Sequence, residues 1–144
     1  MASFTFVNGR KLLLTGVMNL ASDTIKLALL QGTLAATAAT TMTSLANATA
    51  SATEAVGTGY SAGGTTVTGA TCGSDGTNND AYFWSNPAAW ATATISAVAG
   101  VLYDASQGNA LIGYLDFAGT KASTAGNFTV TPAATASGGW LKSA

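Results

Sequence analysis

From Glu54 onwards the sequence consists of short runs of alternating apolar and polar residues, separated by glycine-rich turns. Runs spaced about 8–12 residues apart are typical of the strands of a β-sandwich or β-barrel. We therefore expect a mainly β chain, an antiparallel β-sandwich or barrel-like domain in which residues 1–144 form a single β-rich domain. The predicted strands of this part are residues 65–71, 82–84, 90–103, 110–117 and 127–131.

The first thirty residues predict a short N-terminal helix followed by two strands. Asn8 suits the N-cap of that helix, and Gly16 suits the position after its C-cap. Residues 17–20 and 24–30 are predicted as strands. In the second of them, apolar residues alternate with polar or small ones, which indicates a half-buried strand.

Residues 32–53 form an uncharged tract of mainly Ala, Thr and Ser. Alanine favours a helix, but the β-branched threonines oppose it because they lose side-chain freedom there. We therefore expect a long Ala/Thr-rich arm, extended on the surface, with a short helix near residues 43–48. Long excursions of this kind are often functional, and in an assembly subunit such an arm would lie on a neighbouring molecule.

Charge is scarce, and this scarcity limits the functions open to the chain. The sequence holds five Lys or Arg, six Asp or Glu and no His, so 8 % of its residues are charged, against about 25 % in ordinary soluble domains. Five scattered basic residues provide no footprint for nucleic acid. A chain with no histidine and one cysteine lacks the commonest general base and any Cys/His zinc site. We expect no enzyme, no cofactor and no resident metal.

Two stretches, residues 27–53 and 81–103, carry no charge and are long enough to be considered as membrane spans. Polar residues interrupt both, so neither supplies the ~20 predominantly apolar residues that a spanning helix needs. Arg10 and Lys11 ahead of a leucine run imitate a signal peptide, but aromatic residues precede the basic pair. We expect no membrane association and no cleaved signal.

Four side chains that carry oxygen lie close together in the loop of residues 73–80. A hard cation such as Ca²⁺ takes ligands of this kind, but the spacing is not that of an EF-hand and no bidentate glutamate follows. A solvated turn explains the same residues and is preferred, with the cation kept as the alternative. The four are Asp75, Asn78, Asn79 and Asp80.

Tyr82, Trp84 and Trp90 could form an aromatic platform for a sugar or for stacked bases. No basic residue lies between Lys26 and Lys121, so base stacking would lack its phosphate-binding partner. Buried Trp and Tyr commonly fill a core while their polar tips reach a hydrogen-bond partner. Core or interface is therefore the preferred interpretation, and a small carbohydrate-binding β-sandwich module remains an alternative function.

Three further groups were considered for catalysis. A glycosidase needs two carboxylates facing each other across a cleft, whereas Asp104 and Asp116 lie near strand ends, where solvation explains them. Cys72 has no basic neighbour in sequence that would activate its thiol. No catalytic residue is assigned.

Three motifs follow one another along the chain: GTGYSAGG at residues 57–64, VLYD at 101–104 and LIGYLDF at 111–117. Together with an aromatic opening and the TIKLALL run of residues 24–30, they resemble small virion structural proteins of tailed bacteriophages. The resemblance covers most of the chain and rests on short motifs.

That resemblance implies a virion structural protein that is not an enzyme, most simply a capsid decoration (cement) protein that binds the outside of the phage head and stabilises it. The implied partners are the major capsid protein and copies of the chain itself, by analogy a trimer. The chain would be made in the bacterial host cytoplasm and reside on the capsid surface. A tail, neck or fibre component of the virion is the alternative.

Apolar residues of the two termini and of the arm are the predicted contacts with the shell or with other subunits. Such contacts require no charge to be desolvated. The predicted contact residues are Phe4, Phe6, Val7, Leu34, Met42, Leu45, Trp140 and Leu141.

Overall fold

Two antiparallel sheets carry the fold in a computed structural model that describes residues 3–134, 137 and 139–143. The five-stranded sheet has the order β1-β7-β6-β2-β3, and the three-stranded sheet has the order β4-β5-β8. The prediction of a mainly β, antiparallel chain with a short N-terminal helix is confirmed, and the described strands form two open sheets. The elements are β1 (Phe4–Thr5), α1 (Val7–Leu14), β2 (Ile25–Leu30), α2 (Ala38–Thr41), α3 (Leu45–Ser51), β3 (Thr65–Thr66), β4 (Thr71–Asp75), β5 (Asp80–Trp84), β6 (Ala88–Asp104), β7 (Ala110–Val130) and β8 (Leu141–Ser143).

Helix α1 ends as predicted but begins earlier. Gly16, with φ 71°, and Val17 donate their backbone N–H groups to carbonyl oxygens of the last turn, which is the hydrogen-bond pattern of a Schellman motif. Phe6 is the N-cap, and its N–H donates to the Ile112 carbonyl at 2.9 Å. Asn8 is therefore wrong as the N-cap, because this hydrogen bond to the sheet fixes where the helix starts.

The predicted strand at residues 17–20 is wrong, because this segment leads into a turn. Asp23 Oδ2 accepts the Asn19 N–H at 2.7 Å, which closes the turn ahead of β2. Met18 and Leu20 are nevertheless buried. The apolar side chains at positions 18 and 20 are therefore explained by burial in the core and not by pairing in a sheet.

β6 and β7 form one long ribbon that differs from the predicted run of separate strands. Residues 110–117 and 127–131 lie almost wholly in the single strand β7, because the intervening residues continue to pair with β6 through several register shifts. Ala118 and Ala125 adopt positive φ at these irregular positions. The run 65–71 is split, since β3 pairs with β2 whereas β4 belongs to the other sheet.

The strand predicted within residues 24–30 is present as β2, but the prediction that it is half-buried is wrong, because the centre of the five-stranded sheet is covered on both faces. Alternate β2 residues divide between two clusters: Leu27 and Leu29 face one core, and Ala28 and Leu30 face the other. A strand buried on both sides is expected to be apolar at successive positions, and β2 is apolar at every residue except Lys26.

The extended surface arm predicted for residues 32–53 is wrong. Leu34 is buried, and its N–H donates to Tyr114 Oη at 3.3 Å. Ala38 on α2 and Ala48 on α3 are buried in the same cluster. The segment stays on its own domain because its small apolar side chains cover one face of the sheet.

The short helix predicted near residues 43–48 corresponds to α3. Ser44 is its N-cap and forms a capping box with Asn47. The Asn47 Oδ1 accepts the Ser44 N–H at 3.2 Å and the Thr43 N–H at 3.1 Å. These bonds satisfy polar groups at the start of a short helix, where no intrahelical partners are available.

Candidate functional site

Helix α1 presents one face to the domain and a mixed apolar and basic face to solvent. Gly9 is buried against β7, and glycine is needed there because a Cβ would collide with the backbone of Leu111. Residues three and four apart on a helix are neighbours, so one exposed row runs along the opposite side. We call this row, together with the exposed Val17 that follows the C-cap Thr15 and Gly16, the α1 stripe: Val7, Arg10, Lys11, Leu14 and Val17.

The α1 stripe holds most of the large apolar side chains that the described residues expose. Leu14 is 88 % exposed, Val17 50 % and Val7 41 %. The fourth such residue, Val56, lies elsewhere on the chain. Exposed apolar groups that lie together commonly mark an interaction surface, whereas scattered ones need no explanation.

A cleft of about 550 Å³ opens beside the α1 stripe, between α1 and the three-stranded sheet. Its lining is mainly apolar and includes Leu13, Leu14, Leu20, Phe83 and Leu141. Arg10 and Lys142 add positive charge to this lining. Lys142 Nζ is already paired with Asp80 Oδ2 at 3.2 Å, so Arg10 and Lys11 supply the charge available to a partner.

Three of the eight predicted contact residues are buried in the domain itself. Phe6 and Leu34 lie in the cluster that covers one face of the five-stranded sheet. Trp140 is buried in the other cluster, where its Nε1–H donates to Ser85 Oγ at 2.7 Å. The contact prediction is wrong for these three side chains, because in this fold they are packed against their own chain.

The other five predicted contacts divide into one exposed residue and four half-buried ones. Val7 belongs to the α1 stripe, and Leu141 lines the adjoining cleft. Phe4 stacks on Tyr114 with ring centroids 4.8 Å apart, which anchors β1 to β7. Met42 and Leu45 pack against the cluster beneath α2 and α3. Of the five, only Val7 and Leu141 therefore border the surface formed by the α1 stripe and its cleft.

The three aromatic residues considered for a sugar platform do not form one. Trp90 is buried and contacts the Phe128 ring edge-on at a centroid distance of 5.9 Å. Tyr82 and Trp84 are half-buried on β5. The preferred core interpretation is thus confirmed for Trp90.

The polar loop predicted at residues 73–80 is shorter than expected, because residues 73–75 and 80 pair in β4 and β5 and only residues 76–79 form the tip of the β4–β5 hairpin. Asp75 accepts hydrogen bonds from the Asn78 side chain at 2.7 Å and the Thr77 N–H at 2.9 Å, and these bonds lower the pKa of Asp75. Asp80 pairs with Lys142. Protein groups therefore engage both carboxylates, as the turn interpretation requires.

Asp104 and Asp116 have different surroundings. Asp116 Oδ1 accepts the Ala118 N–H at 2.8 Å. Asp104 is completely buried at the end of β6, so the solvation predicted for it is wrong. Burial, followed by the adjacent Asp23 carboxyl group, which can share a proton with Asp104, raises the pKa of Asp104 to about 6. Sequence reasoning missed this pairing, because nothing in the pattern places the turn before β2 against the end of β6.

No helix within the described ranges is both long and apolar enough to cross a bilayer.

Cys72 is an exposed free cysteine. Partial burial of the thiol raises its pKa, which disfavours a reactive thiolate.

Comparison of the chain with protein-family models, with curated proteins and with solved structures gave no match.

Proposed function

We propose that the chain is a structural subunit of a tailed-phage virion without enzymatic activity, most simply a capsid decoration protein on the outer surface of the head. The observation that carries the proposal is the concentration of exposed apolar side chains in the α1 stripe, next to an apolar cleft. Together with the resemblance of the sequence motifs to small phage virion proteins, this surface supports an assembly role.

The chemistry of the α1 stripe also defines its partner. Leu14 and Val17 gain by leaving water, at about 25 cal/mol for each Å² of apolar surface covered. Arg10 and Lys11 flank them and form no ion pair with another described residue. The fitting surface on the major capsid protein is therefore an apolar patch bordered by carboxylates. Complementary charge of this kind orients the partners and speeds their association.

The proposed mechanism is additive clamping of the shell. A single α1 stripe offers few anchoring side chains, so one subunit would bind weakly. Many subunits on one head, or several subunits joined as a trimer, would turn weak contacts into a persistent coat because a second contact forms at a high effective concentration. The rest of the surface needs little charge if neighbouring copies cover it.

The test is the number of copies and their place in the virion. Virions of the phage that encodes the chain are separated into head and tail fractions, and the chain is quantified by mass spectrometry against the major capsid protein. A decoration protein is expected in the head fraction at hundreds of copies. A small symmetric number such as about three, six or twelve in the tail fraction would favour the tail, neck or fibre alternative. Absence from virions would overturn both.

A further inference from the structure

A second carboxylate lies against the buried carboxylate at the end of β6. Asp104 is 0 % exposed, and Ile25 of β2 is its partner in the sheet. Asp104 Oδ1 accepts the Ser106 N–H at 2.8 Å. Its Oδ2 is also buried and has no hydrogen-bond donor among the described residues. The carboxyl group facing it is that of Asp23.

The surroundings of this pair are tightly connected. Asp23 Oδ2 accepts the Asn19 N–H at 2.7 Å. Thr24 donates its N–H to Ser106 Oγ at 2.9 Å, and the Thr24 carbonyl accepts the Ala105 N–H at 2.9 Å. The turn before β2 and the turn between β6 and β7 are therefore held together, which keeps the two carboxyl groups in place.

Among the described residues, no Lys or Arg forms an ion pair with Asp23 or Asp104. Lys26 is the basic residue nearest in sequence to Asp23, but its Nζ lies near Gly63. Two carboxylates in one partly buried site repel each other and lose hydration, and either a shared proton or a bound cation relieves this cost.

We propose that Asp23 and Asp104 form a binding site for a hard divalent cation of the Ca²⁺ type. The orphaned Asp104 Oδ2 and the Asp23 carboxylate supply the charged oxygen ligands, and Asp23 is half-buried, which leaves a route from solvent. Ca²⁺ accepts water and neutral oxygens as its other ligands. With only two carboxylates, the dissociation constant is expected near 10⁻⁴–10⁻³ M, as in weak extracellular modules.

The test compares thermal unfolding with and without Ca²⁺ after treatment with a chelator, at pH 7.5 and constant ionic strength. At roughly 10 mM Ca²⁺, about ten or more times the expected dissociation constant, the Tm of the wild type should rise by about 3–6 °C. Asp23→Asn should lose this rise. Asp75→Asn, which removes an exposed carboxylate from the β4–β5 hairpin, is the matched control and should retain it.

A direct measurement guards against a variant that fails to fold. Ca²⁺ binding is followed by isothermal titration for the wild type, Asp23→Asn and Asp75→Asn, with folding checked by circular dichroism. The expected result is one saturable event in the wild type and in Asp75→Asn. If the wild type shows neither a Tm rise nor saturable binding, the two carboxyl groups share only a proton, and the proposal is overturned. Equal binding by a folded Asp23→Asn variant would also overturn it.

Discussion

The Tyr60 hydroxyl donates a hydrogen bond to Glu54 Oε1 at 2.8 Å, and the same carboxylate oxygen accepts the Gly63 N–H. The hydroxyl also accepts the Leu29 N–H from β2 at 3.0 Å, while Tyr103 Oη donates to the Gly63 carbonyl at 2.7 Å. These bonds fasten the loop of residues 54–64 to the five-stranded sheet. The glycine-rich motif in this loop therefore has a structural role.

Tyr60→Phe tests that network. The change leaves the Leu29 N–H without its acceptor and removes a donor from Glu54, so the free energy of unfolding should fall by about 1–3 kcal/mol. Urea denaturation followed by circular dichroism measures it. Tyr82→Phe is the control, because the Tyr82 hydroxyl makes no hydrogen bond within the described part of the chain. Equal effects of the two changes would contradict the role assigned to Tyr60.

Gly64→Ala tests the backbone of the same loop. Gly64 has φ 71°, and a Cβ there would collide with the Leu27 carbonyl, so we expect a loss of more than about 2 kcal/mol in the free energy of unfolding. Gly76→Ala, at the tip of the β4–β5 hairpin, is the matched control because nothing lies within 4 Å of a Cβ there. Similar denaturation midpoints for the two variants would contradict the prediction, because they would show that the loop of residues 54–64 accommodates a Cβ at position 64.

Ser85→Ala tests the assignment of Trp140 to the core. It removes the acceptor of the buried Trp140 Nε1–H, which should cost about 1–3 kcal/mol of unfolding free energy. Ser96→Ala on β6, where the side chain is exposed, should change stability little. Thermal denaturation of both variants measures the difference. An unaffected Ser85→Ala variant would mean that Trp140 does not depend on this bond.

The Asp23–Asp104 pair is expected to make the stability of the protein fall with rising pH when a chelator has removed divalent cations. Folding raises the pKa of Asp104 from 3.8 to about 6, so protonated Asp104 favours the folded state. This contribution to the free energy of unfolding is fully present below about pH 4 and is lost as the pH rises through about 6. Asp23→Asn removes the charge that faces Asp104. The stability of this variant relative to the wild type should therefore increase across that interval. Urea denaturation at several pH values measures it, and a flat difference would refute the prediction.

The strand-rich architecture and the C-terminal end of α1 were predictable because they depend on local patterns. Gly16 specifies a backbone conformation, and the alternation of residues 24–30 identifies a strand, although it does not show that both faces of β2 are covered. The fate of residues 32–53 was not predictable in this way. Alanine side chains suit both a surface arm and a tightly packed layer, and only the sheet beneath Ala38 and Ala48 decides between them.

Only two residues of the surface around α1 were predicted from the sequence. Val7 and Leu141 were identified as apolar terminal residues, and both border the surface around α1. Leu14 was missed because the sequence does not show which leucine of residues 12–14 faces outwards. The exposed position follows from Gly9, whose close contact with β7 fixes the rotation of the helix.

Leu14→Ser tests the α1 stripe as a docking surface. Because Leu14 is 88 % exposed, the change should alter the free energy of unfolding by no more than about 0.5 kcal/mol. Its burial against a partner is worth about 1.5–3 kcal/mol, so affinity for heads that lack the chain should fall about 10- to 100-fold. Co-sedimentation of purified protein with such heads measures this affinity.

Val56→Ser is the matched control for that experiment, because Val56 is 70 % exposed but does not belong to the α1 stripe. Its binding to heads should equal that of the wild type. Equal losses in both variants would indicate nonspecific adhesion through any exposed apolar group. Unchanged binding by Leu14→Ser would exclude the α1 stripe as the contact while leaving a virion role to be decided by copy number, since another face would then have to hold the shell.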